Sequence, residues 1–177
     1  MRPLYRVRQG LDNLWAGVGS RDLAIVRQQL SQEEFQLFLR MDSADQRHCI
    51  RVLRAIQAEG NCDANLTKAA LLHDVGKARC HISIVHRTIA VLIGGVFRRL
   101  PPLAFAPSSG SWWYPFYVIA NHPRIGAAML VRCGSPERVW RLAELHHLEP
   151  HQVGRLQKDN EWVQRALLAL RRADNQN

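Results

Sequence analysis

Leu71-Leu72-His73-Asp74-Val75-Gly76-Lys77 places two ionisable side chains and a lysine in a leucine-rich run that reads as buried. Burying such groups is costly unless they pair with one another or ligate a cation. Helical spacing puts Lys77 one turn beyond His73, on the same face. An adjacent His-Asp pair is a weak signal alone, and a lone histidine on a half-apolar helix is ordinarily a core or cap residue. Here other histidines fall on separate helical segments. His48 lies inside an earlier one, His122 opens Asn-His-Pro-Arg-Ile-Gly, His146-His147 closes another, and Asp174 ends the last. Helical bundles assemble metal sites from inward-facing side chains in this way. Imidazole with carboxylate suits zinc, iron or manganese rather than calcium.

Most of the remaining sequence also reads as helix. Ser31-Gln-Glu-Glu34 is a capping box ahead of Phe35, Leu37, Phe38 and Leu39. Helices are predicted over residues 43–58 (ending at Gly60-Asn61), 65–77, 135–147 and 159–173, and from Pro123 with Asn121 or His122 near the cap. Residues 81–120 break the pattern. They hold an apolar run from Ile89 to Phe97, Arg98-Arg99, Pro101-Pro102, a Ser/Gly-rich turn, and Trp112, Trp113, Tyr114, Phe116 and Tyr117. The expected fold class is all-α, a single helical-bundle domain. Residues 1–29 form an N-terminal extension, 30–80 and 121–175 the core, and 81–120 an irregular apolar and aromatic insertion. The tail from Asn175 is expected to fray.

The chain has 177 residues, enough for one domain with a real core. Its 47% hydrophobic and 22% charged residues exclude wholesale disorder. A formal charge of +9 favours polyanionic partners such as nucleotides, nucleic acid or an anionic membrane surface. No acidic residue stands between Asp74 and Glu137, where Lys77, Arg79, Arg87, Arg98, Arg99, Arg124 and Arg132 all fall. Cys49, Cys62, Cys80 and Cys133 make no C-x-x-C pair and read as free thiols of a reducing cytosol. No secretory signal or membrane-spanning run is evident. A cytoplasmic location is expected, with membrane association through residues 81–120 as a variant of it.

Leu-Leu-His-Asp-Val-Gly-Lys resembles the signature of the HD superfamily of metal-dependent phosphohydrolases, with Val75 in place of isoleucine. Asp45-Gln-Arg-His48 resembles the superfamily's first-histidine helix, and Leu168-Ala-Leu-Arg-Arg-Ala-Asp174 its last. The resemblance covers roughly residues 30–175. His122 in His-Pro-Arg-Ile-Gly and His146-His147-Leu-Glu149 resemble further elements of di-metal, HD-GYP-like members. It implies one metal on His48, His73, Asp74 and Asp174. A second would sit on Asp74, His122, His146 and His147, with Asp74 bridging. Iron or manganese are the first choices, with zinc, nickel, cobalt or magnesium as alternatives. Two departures stand out. Pro150-His-Gln-Val-Gly154 replaces the Gly-Tyr-Pro segment, which argues against cyclic di-GMP, and Ala44 replaces a glutamate found in trinuclear members.

The resemblance implies hydrolysis of a phosphomonoester or phosphodiester, in a nucleotide-like substrate, by a metal-activated water. Asp74 would orient that water and Lys77 would stabilise charge on the phosphate. Arg79 and Arg124 are candidate substrate-phosphate clamps. His81, His86 and His151 match no motif position. A di-iron oxygenase of the same superfamily and a non-catalytic nucleotide-sensing module are the competing readings. Retention of Lys77 and every candidate ligand speaks against the module. No helix-turn-helix or aromatic platform supports specific nucleic-acid binding. Residues 81–120 fit a lid or additional core first, then a membrane-surface contact, then a dimer surface.

Overall fold

The computed structural model describes residues 17–92, 106–153 and 161–176, and all regular structure among them is helical. In chain order the elements are α1 (Ser20–Gln29), α2 (Gln32–Leu39), α3 (Ser43–Ala58), α4 (Ala64–Leu72) and a 3-10 turn (Val75–Arg79). They continue with α5 (Ile84–Leu92), α6 (Tyr114–Arg132), α7 (Glu137–Leu145), the short α8 (Pro150–Val153) and α9 (Glu161–Asn175). The predicted all-α class is the observed one.

α4 forms the centre. Ala69, Ala70, Leu71 and Leu72 are fully buried, and α1, α2, α3, α7 and α9 all pack against this helix. Phe38, Leu53, Ile56, Leu142, Leu167 and Leu170 bring the surrounding helices into the same core. Each such side chain contributes roughly 1.5–3 kcal/mol on burial. A smaller cluster of Ile82, Tyr114 and Val118 joins the chain after the 3-10 turn to α6. Part of the predicted insertion is therefore additional core.

Local signals set the helix ends. The capping box forms as expected, with Ser31 Oγ accepting from the Glu34 N–H and Glu34 Oε2 accepting from the Ser31 N–H. α3 and α6 both close through a left-handed glycine, Gly60 (φ 79°) and Gly134 (φ 77°). Beyond them the Asn61 N–H donates to Ile56 O at 3.2 Å and the Ser135 N–H to Leu130 O at 3.0 Å, the Schellman pattern. Ser135 then donates its hydroxyl to Glu34 Oε1 at 2.8 Å, and Lys68 of α4 pairs with Oε2 at 2.7 Å.

Four helices differ in their bounds from the sequence reading. α4 stops at Leu72, and Val75–Arg79 is a 3-10 turn rather than more helix. This break lays the bare backbone of Gly76 against α6, where a Cβ would meet His122 O at 2.0 Å and Gly126 N at 2.7 Å. α6 starts at Tyr114, so the favoured first-turn proline is Pro115 and Pro123 lies inside the helix. Burial of Tyr114 and Phe116 outweighs the turn-like composition just before them. α7 is shorter than residues 135–147, with Pro136 as its N-cap, and α9 continues through Asn175, where fraying was expected. Gly94-Gly95, Arg98-Arg99, Pro101-Pro102 and most of the N-terminal extension lie outside the described residues.

Candidate metal centre

His48 points from α3, His73 caps the end of α4, Asp74 begins the 3-10 turn, and Asp174 comes from the last turn of α9. His122 projects from α6, while His146 and His147 follow the end of α7. The ligand atoms gather into two groups, His48 with His73 and Asp74, and His122 with His146 and His147; within each they lie within 4.8 Å of one another. Asp74 stands between the groups and divides its carboxylate. Oδ2 faces His48 Nε2 at 3.9 Å and His73 Nε2 at 3.7 Å. Oδ1 faces His122 Nε2 at 3.1 Å and His146 Nε2 at 4.0 Å. Asp174 Oδ1 completes the first group, 2.8 Å from His48 Nε2 and 3.8 Å from His73 Nε2.

The backbone aims three of these rings. His73 Nδ1 bonds the Ala70 carbonyl at 3.0 Å, His122 Nδ1 the Ile119 carbonyl at 2.7 Å, and His146 Nδ1 the Ala143 carbonyl at 2.7 Å. Each carbonyl lacks its usual helical donor. Ala70 and Ala143 lie in the last turns of α4 and α7, where the i→i+4 ladder runs out. Ile119 lies four residues before Pro123, which has no N–H to give. A ring that donates Nδ1–H keeps the lone pair on Nε2, the tautomer a metal ligand requires.

Two observations fit these residues to a cation. His73 Nε2 is buried without a hydrogen-bond partner, an uncommon and costly state for a polar atom. His122 Nε2 and His146 Nε2 face each other at 3.3 Å, while the Nδ1 of each ring bonds a backbone carbonyl. A cation between them would take a lone pair from each ring. Desolvation also holds His146 well below the ordinary imidazole range and lowers His73, which keeps both neutral. His147 is exposed, although the His122 and His146 rings stand 4.8 and 4.2 Å from its own. Desolvation first and electrostatic repulsion from the neighbouring His122 second push its pKa down to about 4.

The carboxylates are held in the opposite state. Burial alone would raise Asp74, but Lys77, His73 and His122 outweigh it and keep it well below the usual range. Asp174 is lowered in the same way, with the His48 hydrogen bond opposing burial. Lys77 Nζ sits 2.6 Å from Asp74 Oδ2 and 4.0 Å from Asp45 Oδ1. These carboxylates outweigh its desolvation and keep it charged. Beneath His73 the buried Cys49 thiol lies 4.0 Å from Nδ1, on the side away from the ligand nitrogen, and burial pushes its pKa well up.

The structure thus brings together His48, His73, Asp74, Lys77, His122, His146, His147 and Asp174. Arg79 and Arg124 are exposed, and no hydrogen bond or ion pair joins them to these residues among the described residues. Sequence reasoning passed over Asp45 and Arg87. Buried Asp45 lies one turn before His48, and Arg87 of α5 grips it with two bonds of 2.8 and 2.7 Å while reaching Asp42 at 3.1 Å. The available signal was helical spacing, since a carboxylate at i−3 shares the face of His48.

A family model for the HD domain matches residues 46–175. The chain belongs to the HD-domain family. The matched span of this HD domain holds every residue of both ligand groups, from His48 to Asp174. HD domains are mostly metal-dependent phosphohydrolases, which agrees with the histidine and aspartate groups suited to divalent metal. No curated protein and no solved structure matches the chain.

Proposed function

We propose that this HD domain is a phosphohydrolase with two divalent transition metals, iron or manganese by preference, acting on a phosphomonoester or phosphodiester of a nucleotide-like substrate. The observation that carries the reading is the divided carboxylate of Asp74, one oxygen toward each histidine group. His48, His73, Asp74 and Asp174 would hold one ion, and Asp74, His122, His146 and His147 the other. Such a pair supplies charge neutralisation at the phosphoryl group and a water acidified for attack. The chain's own residues set the rest. The carbonyl-anchored rings of His73, His122 and His146 present Nε2 without reorganisation. Lys77 stays charged beside Asp74, where it would meet a phosphoryl oxygen of the substrate. Arg79 and Arg124, free of ion pairs among the described residues, are proposed as outer contacts for further phosphates.

Metal analysis paired with a phosphatase screen over nucleotides and cyclic dinucleotides tests this. The expected result is roughly two first-row metals per chain, with Asp74→Ala losing both the metal and phosphate release. One tightly bound metal, unaffected by His122→Ala, would remove the dinuclear centre. Oxygen uptake by the iron form, with no phosphate released in any metal form, would replace the proposal with an oxygenase.

A further inference from the structure

Exposed large apolar side chains concentrate in one part of the molecule. Ile84, Val85 and Leu92 of α5 and Trp112 and Trp113 just before α6 are all more than half exposed, Leu92 reaching 79% and Trp113 62%. α5 reverses the ordinary polarity of a surface helix. Its one charged side chain, Arg87, points inward to Asp42 and Asp45, while Val85 and Leu92, seven residues apart on one stripe, face solvent. The tryptophans stand on a built support. His86 bonds Ser83 Oγ at 2.6 Å and the Trp112 carbonyl at 3.2 Å. Its ring lies 5.1 Å from both Trp112 and Phe116. Phe116 is buried at the base, 2% exposed, with the Trp113 ring 5.8 Å away. Indoles propped in this way are held outward.

Charge narrows the choice of occupant. The chain contributes no acidic residue between Asp74 and Glu137, and the carboxylates that pack against α5, Asp42 and Asp45, are paired with Arg87. Arg79, five residues before α5, and Arg124 on α6 are exposed and carry no ion pair among the described residues. Adjacent tryptophans favour the headgroup level of a bilayer, and cationic flanks favour anionic lipids. No described helix is long and apolar enough to cross a membrane, so the contact is interfacial. We propose that the surface made by α5 and the start of α6 binds anionic lipid bilayers peripherally.

Co-sedimentation of the full chain with phosphatidylcholine vesicles, with and without phosphatidylglycerol, tests the assignment. The expected outcome is sedimentation with the anionic vesicles, weakened by salt, with a blue shift of tryptophan emission. A Trp112→Ser, Trp113→Ser double variant and a separate Leu92→Ser variant should lose most of the sedimenting fraction while keeping the helical circular dichroism of the parent. Three results would overturn the proposal: no sedimentation of the parent, binding indifferent to phosphatidylglycerol, or double-variant binding equal to the parent's. A concentration-dependent dimer, broken by the double variant in the absence of any lipid binding, would overturn it in favour of a second copy of this chain.

Discussion

Pro123 and His122 show how one residue's missing atom sets another's chemistry. The proline has no N–H, the Ile119 carbonyl is left without its helical donor, and the His122 ring takes that place at 2.7 Å. Pro123→Ala restores a competing N–H. The helix should gain stability, because an interior proline costs about 3 kcal/mol, while His122 loses its exclusive anchor. Loss of an outer partner typically weakens metal affinity about 10–100-fold, so titration should show the second metal weakened within that range and the first unchanged. A second-metal affinity equal to the parent's would show that the carbonyl does not orient the ring. The candidate ligands that the structure brings together were named from the sequence, because imidazoles and carboxylates are too rare in leucine-rich surroundings to be silent there. Their aim was not, since it depends on carbonyls freed by two helix ends and by a proline inside α6, none of which the sequence placed correctly. Asp45 and Arg87 escaped for a related reason: the arginine's partner lies 42 positions away.

The 3-10 turn is the element on which the site's geometry turns. It lets Asp74 face both histidine groups and seats Gly76 on α6, with Gly126 N 2.7 Å from where a Cβ would stand. Gly76→Ala meets two backbone groups that cannot move aside. The expected loss lies at or above the upper end of the roughly 1–3 kcal/mol of ordinary overpacking, read as a lowered midpoint in urea. Gly126→Ala should cost less, its nearest neighbour being Gly76 N at 3.0 Å. A Gly76→Ala midpoint equal to the parent's would refute the close approach. Helices with apolar periodicity and caps were readable in advance, α3 to its final residue. The turn was not, because leucines and alanines up to Leu72 give no reason to stop, and the reason lies on α6. α5 was hidden by its composition, since an exposed apolar stripe reads like core.

Across the whole molecule, Glu34 links parts of the chain that no local signal connects. It is 1% exposed and receives the Ser31 N–H, Lys68 and, across 101 positions, the Ser135 hydroxyl. Burial alone would raise its pKa, but these donors prevail and hold it below the ordinary value. A depressed folded-state pKa stabilises the fold above the unfolded value of about 4.3 and loses that contribution as pH falls through the folded value. Glu34→Gln keeps the shape and removes the charge. At neutral pH the variant should be less stable by roughly 1–3 kcal/mol, the usual cost of leaving a buried partner poorly satisfied. As acid protonates the parent's own Glu34, that gap should close, because the two side chains then carry the same charge. Denaturation curves of both proteins from neutral pH down past the carboxylate range measure the gap directly. A gap that stays constant would mean that Glu34 acts through shape alone, and that its charge does not join α2, α4 and the turn after α6.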